Sequence, residues 1–537
     1  MTQTKADAAP VTLIVVVEND ARGLERLLTQ MKPWVAEIIV SVQPSTDDTL
    51  DVANVLADKV IEREHDVSLS PQFEAMIEAA SNDVFLNLDA DETLAHPERL
   101  ADVVKQDYDV WWLPRIDYLS DRRVQFYGAD PHERLFRRGA LKWQAKMHTF
   151  AEIQVPDNRV AHASEIWVEH RRTIEGIRWR QAQYMREAEE RGQPEVIPGQ
   201  KSFLERAEQV AAKMSWEGFP RRILCAYNGV VGIGDTLMTT PVLRQLRKDY
   251  PGAHITYLTQ QGAVLHNNPN VDLIDPTPPE RWNTEWERDF DLVFHWETSL
   301  TGDAGRRING YEQEAYWAQV DVDDYKPEWF VTEQEAQAAA GWVQRTRKCP
   351  RLVGMSLSSS ALHRTWQHSE AFVRALMTEY EDIQLIFFGD QRCRMLEMEF
   401  DTRQYRKVVS DWGQVQIANP PYDGPGADRI IRSSGQTNIR EVAALMPHLD
   451  LLIAPDSGLM HISGCFGTPC VAYFNLVPPE LRVKHMPNVI PVAAEYPCSP
   501  CFIHGRIDCD KTTQTGAPCL HTITVDRMMA AVESVLG

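Results

Sequence analysis

Residues 222–258 read RILCAYNGVVGIGDTLMTTPVLRQLRKDYPGAHITYL. Ile223 to Tyr227 is a short apolar run, as a strand buried in a parallel sheet requires. Thr236 to Tyr250 follows with apolar residues at Leu237, Val242, Leu243 and Leu246, the spacing of one helix face. His254 to Leu258 is the next strand. Strand, helix and strand in this order predict an α/β unit, and ligands on such sheets gather beyond the carboxyl ends of the strands. Gly232-Ile233-Gly234-Asp235-Thr236 lies at that end. Its glycines let backbone amides approach a ligand closely. Asp235 could equally serve as a helix cap.

The same rhythm continues outward. Leu292 to His295 is a further strand, and Leu352–Leu357, Gln384–Phe388, Leu451–Ile453 and Val471–Tyr473 form a later set. A break near Pro327 to Pro350 predicts two lobes with a cleft between them. Upstream, residues 11–17 (VTLIVVV), Glu37–Val42, Lys59–Glu62 and Val84–Leu88 alternate with helical stretches and predict a separate α/β unit with a parallel sheet. Between the units, two charged helical stretches flank Gly192, Pro194, Pro198 and Gly199. They either bridge the units or pack on the first. The expected division is 1–170, a helical linker 171–221, and lobes 222–340 and 341–537.

The chain has 537 residues, and roughly 150 per domain allows three or four units. Hydrophobic residues are 43%, charged residues 25% and the net charge −22, values of a globular chain rather than a disordered one. That field repels a nucleic-acid backbone, so nucleic acid is not the expected partner. Leu13 to Val17 is too short to span a bilayer, and no signal-peptide pattern precedes it. The expected location is the cytoplasm, with peripheral contact at the inner face of the membrane.

Asp89-Ala90-Asp91-Glu92 follows a buried strand directly. Two Asp flanking one residue can share a divalent cation, and oxygen-rich sites favour Mg²⁺ or Mn²⁺. Such a cation would neutralise a diphosphate leaving group. A solvated acidic turn is the plainer alternative. Taken with Asn19-Asp20, Ser45-Thr46-Asp47-Asp48-Thr49 and Arg134-Leu135-Phe136-Arg137-Arg138, the motif resembles the family 2 glycosyltransferases of GT-A fold. The resemblance implies that Asp89 and Asp91 hold a metal–nucleotide-sugar complex, that His148 adds a ligand, and that Asp130 or Glu133 is the general base. Two departures stand out: Val42-Gln43 where the family has a base-binding Asp, and Phe73-Glu74 where it has Arg-Asn.

The second unit is similar to another family. Gly234-Asp235, Thr239 to Arg247, Ser356 to Ser360, Arg364-Thr365-Trp366 and Asp456-Ser457-Gly458-Leu459-Met460-His461 resemble the family 9 glycosyltransferases, the ADP-heptose heptosyltransferases of GT-B fold. The resemblance implies Asp235 as base on an acceptor hydroxyl, with inversion at the anomeric carbon. It implies donor binding by Gly234, Ser356, Arg364, Asp456, Ser457, Gly458 and His461. Arg364 stands where a metal-dependent enzyme would use its ion, so no metal is expected there. The partners implied are nucleotide-diphosphate sugars, ADP-heptose-like for this unit, and a glycan or glycolipid acceptor. The two resemblances together imply a two-module glycosyltransferase that transfers sugars to a surface glycan or lipopolysaccharide-type acceptor. The alternatives are a single active second unit with a first unit kept only to bind acceptor, and a phage enzyme acting on modified DNA bases.

Nine cysteines, an odd count, do not suggest a disulfide framework. Cys498, Cys501, Cys509 and Cys519 crowd one segment, and four thiolates can hold a structural Zn²⁺. Free thiols or a disulfide are the alternatives.

Overall fold

The computed structural model describes residues 8–64, 70–120, 122–124, 132–143, 151–156, 159–163, 165–190, 197–214, 218–228, 232–277, 289–297, 308–359, 362–399, 408–409, 415–416, 424–502, 509, 511 and 517–537. Asp130 and His148 lie outside these residues.

The first module is built on a seven-stranded sheet. Its spatial order is Val160–His162, Val110–Leu113, His132–Arg137, Val84–Asn87, Ala9–Val17, Val35–Val42 and Lys59–Glu62. Ala9–Val17 sits inside it, parallel to both Val35–Val42 and Val84–Asn87. Leu13, Ile14 and Val15 are fully buried because helices cover both faces of the sheet. The sheet is mixed, where a parallel one was expected. His132–Arg137 runs antiparallel to both its neighbours, giving the core only Leu135 and Phe136 from a charged segment.

The first module also holds a separate four-stranded sheet. Trp167–Arg172 pairs antiparallel with Glu92–Ala95 and parallel with Arg115–Leu119, which Arg122–Val124 extends. It thereby carries the acidic motif and runs through the expected boundary at 170. The helices Ile174–Glu190 and Ile197–Met214 pack on each other. Ile177, Phe203, Ala207 and Met214 bury against Leu119 and Val124, so the hairpin packs on the first module.

Beyond it lie two parallel sheets. One has the order Leu273–Asp275, His254–Leu258, Arg222–Asn228, Leu292–Glu297. The other has the order Ile430–Arg432, Ile383–Phe388, Arg351–Ser356, Leu451–Pro455, Cys470–Phe474, Val489–Ala493. The lobes share one hydrophobic core, from Tyr227 and Trp296 to Phe388 and Met460. The helix Glu333–Thr346 runs across position 340 and adds Ala339 and Val343 to that core. Arg440 ties the lobes further: it forms a two-point ion pair with Glu335 and donates to the carbonyls of Ala263, His266 and Phe330. Among the described residues no helix is long and apolar enough to cross a membrane.

Candidate active site

Two helix starts meet between the lobes. Arg222–Asn228 ends at the sheet edge, and Gly232 then opens the helix Ile233–Met238. Leu451–Pro455 ends at Asp456-Ser457, which opens the helix Gly458–Phe466. The contact is close enough to require glycine on both sides. A Cβ on Gly234 would stand 2.9 Å from His461 Cδ2, and one on Gly458 would stand 2.9 Å from Ile233 Cβ. So Gly234, Asp235, Gly458 and His461, separated by more than two hundred residues in sequence, share one place.

Their states follow from burial. His461 is 3% exposed, and its Nδ1 lies 2.8 Å from the Tyr311 hydroxyl. Burial brings its imidazole down to about 4, so the ring is neutral near pH 7. Asp235 is half-buried and accepts a bond of 2.7 Å from the Gly232 amide, so it does cap its own helix. Behind it, burial lifts the Glu314 carboxyl well above the carboxylate range, and Glu314 Oε1 receives the Tyr227 hydroxyl at 2.5 Å.

The opposite lip offers donors. Ser457 Oγ is buried without a partner, and an orphaned buried hydroxyl is costly unless a ligand meets it. The helix start adds free amides and a positive dipole end. Arg364 is half-buried and holds the Asp456 carbonyl at 3.0 Å, which brings a fixed cation to the same lip. Asp456 is half-buried beside it. Ser356 lies deeper: it is 3% exposed and donates to the Ser358 carbonyl at 3.1 Å.

The first module's acidic motif is arranged differently. Asp89 lies 3.0 Å from Arg134, whose guanidinium also meets the fully buried Glu92 at 2.7 Å. Asp91 lies 3.0 Å from His170 Nε2, and His170 Nδ1 faces Asp117 at 3.1 Å. Burial alone would lower the His170 pKa, but the carboxylates of Asp91 and Asp117 lift it to about 9. Burial works against an ionised Asp91, yet His170 and Arg172 hold its carboxyl below the ordinary range. Each motif carboxylate thus already has a protein cation. Among the described residues no group of three His, Cys, Asp or Glu is arranged to hold a metal ion. Asp89 and Asp91 are thus engaged by Arg134 and His170, and His148, the third expected ligand, lies outside the described residues. Glu133 sits half-buried on the strand that carries Arg134.

The sequence reading missed His170, Asp117 and Arg134 as parts of this cluster. The signal was the alternation of WVEHRR, which points His170 and Arg172 to one face, and the register that sets His170 beside Asp117. Phe73, one of the departures, is 4% exposed and stacks on Trp143 at 5.0 Å. A core packing role has taken that position.

Cys498, Cys501, Cys509 and Cys519 line one cavity of about 90 Å³. All nine cysteines are free thiols, and burial raises the Cys519 pKa. As placed, the four do not form a metal-binding group.

Residues 12–162 match the family Glycosyl transferase family 2, and residues 428–508 match Glycosyltransferase family 9 (heptosyltransferase). Among solved structures the chain is similar to a family 9 glycosyl transferase from Veillonella parvula DSM 2008. The identity is 17% over 60% of this chain and 98% of that one, with a TM-score of 0.44. It is similar to E. coli ADP-heptose lps heptosyltransferase II at 15% identity, over 58% of this chain and 98% of that one, with a TM-score of 0.41. It is also similar to glucosyl-3-phosphoglycerate synthase from Mycobacterium tuberculosis, solved with Mn²⁺, UDP and phosphoglyceric acid. That identity is 18% over 22% of this chain and 45% of that one, with a TM-score of 0.17. No curated protein matches the chain.

Proposed function

The chain is a glycosyltransferase that joins a family 2 domain to a family 9 domain, and from that premise we propose that its second module transfers a heptose-like sugar from a nucleotide diphosphate to a glycan acceptor. The observation that carries this reading is the meeting of two helix starts, with the orphaned Ser457 hydroxyl on one and Asp235 on the other. The diphosphate sits against Ser457, the amides at the start of the Gly458–Phe466 helix, and Arg364. His461 is neutral and buried, so it shapes the pocket against Gly234 while Arg364 supplies the positive charge. Asp235 takes the acceptor proton as the diphosphate leaves, because a carboxylate is too weak to ionise a sugar hydroxyl beforehand. Attack from the face opposite the leaving group inverts the anomeric centre. The family 9 heptosyltransferase description supports a heptose-type donor, and the reading gives Arg364 the charge-neutralising part that a divalent ion would otherwise play.

A second reading applies to the first module. The ion pairs on Asp89 and Asp91, and Phe73 packed on Trp143, favour a domain whose donor pocket has changed. We infer that it positions acceptor glycan, and that Mg²⁺ or Mn²⁺ enters only by displacing Arg134 and His170. Product mass spectrometry with a panel of nucleotide sugars tests both readings in the full chain. Transfer of a sugar from an ADP-heptose-type donor that survives EDTA supports the first. Transfer that depends wholly on Mg²⁺ or Mn²⁺ overturns it.

A further inference from the structure

A cavity of about 220 Å³ lies between the first module and the 222–340 lobe, away from both motifs. Contacts across the junction frame it. His162 Nδ1 meets the Tyr316 hydroxyl at 2.5 Å, and His96 Nε2 meets Asp321 at 3.2 Å. Three aromatic residues line it: Trp167 from the first module, and Tyr316 and Tyr325 from the second.

Its charges are nearly all accounted for. Glu312 is paired with Lys484 at 2.5 Å and with His485 at 3.0 Å, and Asp321 faces His96. What remains is one guanidinium, Arg99, and one carboxylate, Glu165. Among the described residues neither enters an ion pair or a side-chain hydrogen bond. Two further donors lack partners: the Trp167 indole Nε1 and the Gln319 amide Nε2 are both buried and unsatisfied.

We propose that this junction cavity binds one neutral sugar residue of the acceptor glycan. A net-neutral pair of unmatched charges suits a ligand that both donates and accepts through hydroxyls, and offers no net counter-charge to an anion. Aromatic side chains present apolar faces to the C–H side of a pyranose while the polar groups fix its orientation. The volume lies below the roughly 300–1,000 Å³ of drug-sized pockets, which limits the occupant to about one ring. The cavity also connects physically to the donor site. Tyr325 stacks on His485 at 4.6 Å, His485 meets Tyr311 at 6.3 Å, and Tyr311 meets His461 at 5.8 Å. A sugar held here is a remote part of the substrate, whose binding steadies the reacting hydroxyl near Asp235. The choice of a saccharide rests on the glycosyl-transfer reading above; the cavity and its unpartnered groups do not.

The test is saturation-transfer NMR on the full chain, with the methyl α-glycosides of glucose, mannose and galactose as probes and AMP and methyl phosphate as charged controls. The expected result is transfer to at least one glycoside, reduced about fivefold or more in Glu165→Gln and in Arg99→Gln, with unchanged melting temperatures. Arg99 is exposed and Glu165 unpaired, so neither substitution removes a structural contact. Signals from AMP or methyl phosphate alone, from no probe, or from glycosides equally in wild type and both variants overturn the proposal. Glycoside binding without any sugar transfer would instead sink the catalytic reading and leave this one standing.

Discussion

Two acidic turns follow two buried strands in this chain, and they have opposite surroundings. At Asp89-Ala90-Asp91 each carboxylate meets an internal cation, Arg134 or His170. At the inter-lobe site no such ion pairs form among the described residues: Ser457 Oγ has no partner, His461 is uncharged, and glycines hold the walls together. In the first cluster every motif carboxylate already meets a protein cation, although Arg134 Nε is left without a hydrogen-bond partner; at the second, the buried Ser457 hydroxyl is left without one. A matched set of charges is compatible with a structural role, whereas buried groups lacking partners cost stability and persist where binding repays them.

The contrast breaks most sharply at Asp235. Asp235→Asn keeps the shape and the cap geometry but removes the base. Turnover should fall by about 10²–10⁴-fold with little change in donor affinity by calorimetry. If turnover stays near wild type, Asp235 is a cap alone and the two turns are alike. Next comes Gly458→Ala, whose new Cβ would press on Ile233 at 2.9 Å. Overpacking of this kind costs about 1–3 kcal/mol, so a lower melting temperature and weaker donor binding are expected together. Full stability and full affinity would show that the two helix starts are not in fixed contact.

The neutral His461 gives a pH signature. Unfolded histidine takes up a proton below about pH 6.5, whereas the folded ring resists until about 4. The unfolded state therefore binds more protons in that window, and stability falls as pH drops from about 6.5 toward 4. His162, held down to about 4 by burial, adds to the same slope. His461→Gln should flatten the fall in melting temperature between pH 7 and pH 5; an unaltered slope would mean the ring is already charged. The smallest effect is expected from metal. Mn²⁺ titrated into the full chain without nucleotide, followed by electron paramagnetic resonance, should show no stoichiometric site. A tight site abolished by Asp91→Ala would mean that the ion pairs open readily, and the contrast between the turns would fade.

Much of this was legible in the sequence because it is local. GIGDT and DSGLMH each sit at a strand–helix turn whose apolar periodicity is plain, so the elements and their ligand-facing ends could be read directly. What could not be read is which turns meet. Gly234 packs on His461 because two lobes share a core, and no local pattern encodes that approach. The acidic pair shows the reverse failure. Its motif was visible, but its cations come from Arg134 and His170, on strands that reach it through sheet pairing rather than sequence proximity. The strand His132–Arg137 was hidden for a related reason: a charged segment with two buried residues has little hydrophobic signal of its own.

The Gly310–Ala318 helix carries Tyr311, the partner of His461, and at its other end it is finished by the first module. Arg123 donates to the Ala318 carbonyl at 2.7 Å while its guanidinium lies 5.3 Å from the Phe294 ring. A cation on the last carbonyls of a helix is worth about 0.3–1 kcal/mol. It also spares a carbonyl that separation of the modules would strip of its donor. The two halves are therefore not beads that recombination can exchange freely. A different domain grafted in place of the first would leave that carbonyl to water unless it brought a donor to the same spot, at a cost of about 0.3–1 kcal/mol.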